Sequence, residues 1–127
     1  MEQVNTRFGN TYGLMATLER GDGASFYAQI TDYPQAALQE GPQRILETLK
    51  FGRTVKGVVR AEQRFQFEGN PAQRLVVDLN VVGRPVIASL DVLRGLRLYS
   101  IFCIVDRSRE EAGEVRSFIA SFALLPL

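Results

Sequence analysis

The run Val59-Arg60-Ala61-Glu62-Gln63-Arg64-Phe65-Gln66-Phe67-Glu68 decides the fold class. Val59, Ala61, Phe65 and Phe67 fall on one parity, and Arg60, Glu62, Arg64, Gln66 and Glu68 on the other. Successive side chains of a strand point to opposite faces, so the alternation reads as a half-buried strand. Gly69-Asn70-Pro71 supplies a turn, after which Leu75, Val77, Leu79 and Val81 repeat the pattern opposite Arg74, Asp78 and Asn80. Gly83-Arg84-Pro85 turns the chain again, and residues 86–93 and 96–105 follow, hinged at Arg94-Gly95. The last stretch is apolar on both faces beyond Ser100, as a central strand is. Four consecutive strands with short turns imply an antiparallel meander.

Upstream, residues 12–18 and 26–33 form a periodic pair across Arg20-Gly21-Asp22-Gly23, which reads as a β-hairpin. Between Pro34 and Gly52 the period changes: Leu38, Ile45, Leu46 and Leu49 line one side of a helix. Pro42 suits a first helical turn, Gly41-Pro42 separates a short leading turn from the main helix, and Gly52 is placed to end it. Downstream, Ser108 and Glu111 form an S-x-x-E capping box ahead of the stripe Val115, Phe118, Ile119 and Phe122. A helix through about Ser121 is expected, with residues 123–125 as a short edge strand that Pro126 stops. The expected architecture is α+β: an antiparallel sheet of about six strands with helices packed on it, as one domain spanning residues 1–127.

The chain has 127 residues with 15 basic and 14 acidic side chains, no histidine and one cysteine. A domain of this length buries roughly two-thirds of its unfolded surface and needs no metal or disulfide to fold. The missing histidine removes His-dependent catalysis, and with one cysteine it removes the usual metal sites, so no metal or cofactor is expected. Net charge of +1 gives no field strong enough to imply nucleic acid or a membrane surface as the default partner, and the absence of tryptophan argues further against nucleic acid. No apolar stretch reaches the ~20 residues of a membrane helix. No secretory leader is apparent, so the chain as written reads as cytoplasmic, and as exported or periplasmic if a leader was trimmed from its start.

Few residues offer chemistry. Cys103 sits among Tyr99, Ile101 and Val105 in an apolar strand, where burial silences a thiol. Asp78, Asp91 and Asp106 are the nearest carboxylate candidates; their positions on half-exposed strands and a turn predict solvated side chains. Arginine outnumbers lysine 13 to 2. Among the strand and turn arginines, Arg60, Arg64, Arg74 and Arg97 form a candidate binding face, since arginine suits interfaces and carboxylate recognition. The alternation of Arg60 and Arg64 with Glu62 and Glu68 also fits neutralised cross-strand pairs on a wet sheet face.

Three strings carry a resemblance: Arg64-Phe65-Gln66-Phe67-Glu68-Gly69-Asn70-Pro71, then Arg97-Leu98-Tyr99, then Ser117-Phe118-Ile119-Ala120-Ser121-Phe122. Together they resemble a group of small bacterial proteins of unknown function, similar in fold to the PsbP and DcrB proteins. The group's pattern has a Gly-x-Pro-Gly-Arg-Glu turn, an Arg-Leu-Tyr strand and a terminal Phe-x-x-Ser-Phe helix. Gly69 and Pro71 carry over from that turn, whereas Ala72-Gln73-Arg74 departs from it. The resemblance runs from about Tyr12 to Leu125. It implies a sheet with helices packed against it, no shared enzymatic activity, and roles as accessory or adaptor proteins.

The leading expectation is a non-enzymatic accessory module that binds another protein through a groove or sheet face, such as an adaptor or chaperone for a secreted protein. The competing class is a small-molecule carrier or carboxylate-dependent enzyme, with Asp78, Asp91 or Arg97 lining a cavity between helix and sheet. A homodimer through the arginine-bearing face is a third.

Overall fold

The structure is a computed structural model that describes residues 2–6, 9–20 and 24–106. Along the chain run β1 (Glu2–Thr6), β2 (Gly9–Arg20), β3 (Ala24–Asp32), a 3-10 turn (Gln35–Gln39), α1 (Pro42–Thr54), β4 (Gly57–Phe67), β5 (Asn70–Leu79), β6 (Val86–Arg94) and β7 (Arg97–Val105). The strands make one antiparallel sheet in the order β1-β2-β3-β7-β6-β5-β4. The hairpin and the four-strand meander are therefore as the sequence implies, and β7 is central, between β3 and β6. The described strands number seven where about six were expected, because β1 folds back on β2. The C-terminal capped helix and edge strand lie outside the described residues.

Pro42 opens α1 as expected, preceded by Gly41 and the short 3-10 turn. Gly52 does not end the helix, which runs on to Thr54. A glycine on an exposed helix face costs about 1 kcal/mol, and the extra half-turn carries Arg53 back over the sheet.

Cross-strand register sorts the sheet into two faces. On one, Gln73 and Leu75 of β5 stand beside Asp91 and Ser89 of β6, which stand beside Ser100 and Phe102 of β7. α1 packs on this face, mainly over β5 with β4 and β6 beside it. Its Ile45 and Leu46 join Ala37, Leu93 and Leu98 in a buried cluster. The opposite face is mainly apolar in its middle, with Arg74 as the exception. Ala72, Leu90, Val92 and Ile101 are buried there with Phe65 and Phe67 packed against them, next to a cluster of Phe26, Val86, Cys103 and Val105.

Strand β4 corrects one expectation. Val59 pairs with Val77 but Ala61 pairs with Val76, so an irregularity at Arg60 shifts the register by one residue. A bulge of this kind moves every later side chain to the other face relative to a regular strand. Val59 thus faces α1's side, while Ala61, Phe65 and Phe67 face the other. Val81, expected to continue β5, lies beyond its end and is 40% exposed.

Where β4 begins, Gly57 runs against β5: a Cβ there would sit 2.6 Å from the backbone oxygen of Asp78 and 2.9 Å from Val77 Cγ1. The backbone oxygen cannot rotate away. Gly57→Ala is expected to destabilise the fold by about 1–3 kcal/mol, the usual cost of overpacking, measured by urea unfolding.

Candidate functional site

A polar cluster lies under the C-terminal half of α1. Asp91 occupies the middle of β6, directly opposite Gln73 on β5 and Ser100 on β7. Asp91 and Gln73 are wholly buried and Ser100 nearly so. Arg53, from the last turn of α1, forms an ion pair with one Asp91 carboxylate oxygen, Oδ2. Gln73 Nε2 donates to the same oxygen at 3.1 Å and to the backbone oxygen of Leu46 at 3.0 Å, while Ser100 Oγ donates to Oδ1 at 2.6 Å. A carboxylate removed from water is tolerated only when paired and hydrogen-bonded. Here one cation and two neutral donors fill both oxygens, so the expectation of a solvated Asp91 is overturned.

Tyr33, just beyond β3, belongs to the same surroundings. Burial pushes its hydroxyl up to about 12 from 10.0; the Asp91 charge adds to the rise and Arg53 opposes it. A phenol that keeps its proton longer when folded gives stability that is present below the unfolded value of 10.0 and lost as pH climbs through about 12. Tyr33→Phe should abolish that component. In paired pH-dependent unfolding curves, the difference in stability between the two proteins is expected to be flat below pH 10 and to change above it.

From the cluster a ladder of rings extends along the face. The Arg53 guanidinium lies 5.6 Å from the Phe102 ring centre, and Phe102 stacks on Tyr27 with centroids 4.7 Å apart and planes 13° from parallel. Arg53 thus joins the buried carboxylate to a half-buried aromatic pair. Three buried atoms of this face, Arg64 Nε, Gln73 Oε1 and Ser89 Oγ, have no hydrogen-bond partner among the described residues.

Chemically, the cluster is suited to holding α1 in place. A general base must reach its substrate, and Asp91 is wholly buried with Arg53, Gln73 and Ser100 on its oxygens. An apolar hollow of about 210 Å3 lies elsewhere, at the other end of α1, lined by Ala37, Pro42, Ile45, Pro71, Leu93 and Leu96 among others. It falls below the roughly 300 Å3 of ordinary small-molecule pockets, and Asp78, Asp91 and Arg97 do not line it. Among the described residues no group of three or more carboxylate or thiol side chains is placed to hold a metal ion.

The four candidate arginines do not share one face. Arg64 points to α1's side, where it donates to Gln43 Oε1 at 2.8 Å and to Glu47 Oε2 at 2.7 Å. Arg60, at the bulge, pairs with Asp78 at 3.0 Å. Arg74 is exposed on the opposite face, 5.3 Å from the Phe65 ring centre. Arg97 holds Asp32 with two hydrogen bonds of 2.6 and 3.0 Å across the β3–β7 register. The partners shown are thus helix and neighbouring-strand groups, and Glu62 of the alternation pairs with Lys50. Asp78 is half-buried, Asp106 exposed. Cys103 is buried, and burial pushes its thiol up.

Sequence reading missed Arg53, Gln73, Ser100 and Tyr33. The one trace in the sequence is that Gln73, Asp91 and Ser100 are polar residues near the middles of three consecutive strands.

No family model matches the chain, and no curated protein matches it. Solved structures do. One is the crystal structure of PA94 from Pseudomonas aeruginosa, a protein of unknown function described as a candidate regulator: TM-score 0.63, 12% identity, covering 100% of this chain and 97% of that one. Another is the solution structure of cyanobacterial PsbP (CyanoP) from Synechocystis: TM-score 0.56, 9% identity, covering 89% of this chain and 82% of that one. The likeness is one of fold, and it shows the PsbP-like α+β architecture that the sequence motifs imply. Among the described residues no helix is long and apolar enough to cross a membrane.

Proposed function

We propose that this PsbP-like fold serves as a non-enzymatic module that binds another protein, using the sheet face beside α1. The observation that carries the reading is the Tyr27–Phe102 stack with Arg53 over its end. Tyrosine and arginine dominate the energetics of protein interfaces, and a stacked ring pair offers contact area at little entropic cost. Arg53 is already fixed by Asp91, so binding need not order it again. The finer form of the reading is an adaptor or chaperone for a secreted protein, a role that needs a stable holding face and no reaction chemistry.

The test is affinity capture from the source cell with the native chain and with Tyr27→Ala/Phe102→Ser in parallel. A macromolecule recovered by the native chain and lost with the variant supports the reading, provided the variant keeps its circular dichroism spectrum. Recovery of a bound metabolite in place of a macromolecule overturns it.

A further inference from the structure

Five large apolar side chains are exposed among the described residues, and all five lie at one end of the molecule: Phe51 (71%), Val55 (64%), Val58 (68%), Val81 (40%) and Val82 (101%). Phe51 and Val55 are four residues apart at the end of α1 and share one side of the helix. Val58 begins β4, and Val81 and Val82 belong to the β5–β6 loop. The loop is fastened to the start of β4, since the Asn80 N–H donates to the Lys56 oxygen at 2.6 Å. The five gather round one end of the fold, Phe51 and Val55 on α1's side of the sheet and Val58 on the other, and clustered exposed apolar side chains mark interaction sites.

The loop is also held rigidly. Leu79 N–H donates to the Pro85 oxygen at 3.0 Å, and Arg84 N–H to the Val81 oxygen at 2.9 Å. The second bond closes a four-residue turn whose third position, Gly83, has φ 85, as a type II turn requires. Val82 occupies its leading corner. Arg84 follows at φ 44, a left-handed conformation that non-glycine residues seldom adopt. Full exposure of Val82 is therefore set by a fixed turn and not by a slack loop.

Lys56 and Arg84 flank these side chains, are exposed, and have no ion-pair partner among the described residues. Nearby Arg60 and Asp78 neutralise each other. The exposed Asp106 follows Val105, which pairs with Val86, so one carboxylate stands near the Pro85 end of the loop against the two cations Lys56 and Arg84.

We propose that this end of the molecule docks on an anionic lipid surface, with the valine turn and Phe51 entering the headgroup layer and Lys56 and Arg84 meeting lipid phosphates. A turn with a fully exposed apolar corner and two flanking cations suits such a surface, because lipid moulds itself to a protrusion whereas a protein partner must supply a fitted pocket. The charge complementarity selects anionic over neutral lipid. The proposal concerns a different surface from the Tyr27–Phe102 face and stands independently of it.

The test is flotation of the full chain with phosphatidylcholine vesicles containing about one-third phosphatidylglycerol, against phosphatidylcholine alone. The native chain is expected to float with the anionic vesicles and far less with the neutral ones. Val82→Asp should lower partitioning roughly tenfold, and Lys56→Glu/Arg84→Glu by tenfold or more. All three positions are exposed, so unchanged melting temperatures confirm that the fold is retained. No flotation with anionic vesicles, or flotation unaffected by both variants, overturns the proposal. So does lipid-independent self-association, seen by light scattering and removed by Val82→Asp, in a chain that ignores vesicles; a second copy would then be the occupant.

Discussion

Asp91→Ala is expected to destabilise the protein by about 3–5 kcal/mol, the usual cost of removing one partner from a buried ion pair. The loss is not that of one contact. Arg53 would be left 14% exposed with its charge uncompensated, and Ser100 and Gln73 would lose the acceptors of their 2.6 and 3.1 Å bonds. Asp91→Asn keeps an oxygen for Ser100 and removes the charge, so it should fall between the native chain and the alanine variant. The decisive comparison is Asp91→Leu combined with Arg53→Met. Replacing both charges by apolar groups of similar size is often neutral or better, so the double variant should recover much of what the single one loses. Urea unfolding of the set measures this; equal destabilisation of single and double variants would mean that Asp91 acts through packing alone.

Leu46→Ala is expected to cost about 2–5 kcal/mol, as large-to-small changes in well-packed cores do. Leu46 is wholly buried within the cluster of Ala37, Ile45, Leu93 and Leu98 that joins α1 to the sheet. Its backbone oxygen also receives the Gln73 side chain at 3.0 Å, so a shift of α1 into the cavity would stretch a buried hydrogen bond as well. The backbone bond survives the substitution only if the helix stays in place. Stability should therefore fall with little change in the circular dichroism spectrum, and hydrogen exchange should quicken at the Leu46 turn before it does in β5–β7. Uniform quickening throughout the chain would show that α1 and the sheet unfold as one unit.

How much was legible follows from which signals are local. Alternation over β4 and β5, Gly69-Asn70-Pro71 and the apolar run after Arg97 are each written within ten residues, and they led directly to the meander and to β7's central place. Pro42 marked the start of α1 for an equally local reason. Its end was not legible, because Gly52 looks like a stop until one sees that Arg53 has a carboxylate to reach across the sheet. The bulge at Arg60 was hidden too, since a one-residue slip in pairing leaves no mark on a single strand read alone. Asp91 alternates like any solvent-facing acid. Its burial depends on a helix docking above it and on Gln73 and Ser100 arriving in register from strands 18 and nine residues away. Tyr27 and Phe102 meet across the β3–β7 pairing for the same reason, out of reach of periodicity.

That β3–β7 pairing has a consequence for biogenesis. It couples Asp32 to Arg97 and Ala24 to Val105, the outermost steps of a ladder that runs the whole length of both strands. During translation, at roughly 5–20 residues per second, the early hairpin waits several seconds for its neighbour to leave the ribosome. Throughout that interval one edge of β3 is an open template, so the nascent chain's vulnerability to mispairing is concentrated in its first third and ends when the final strand of the meander closes the gap.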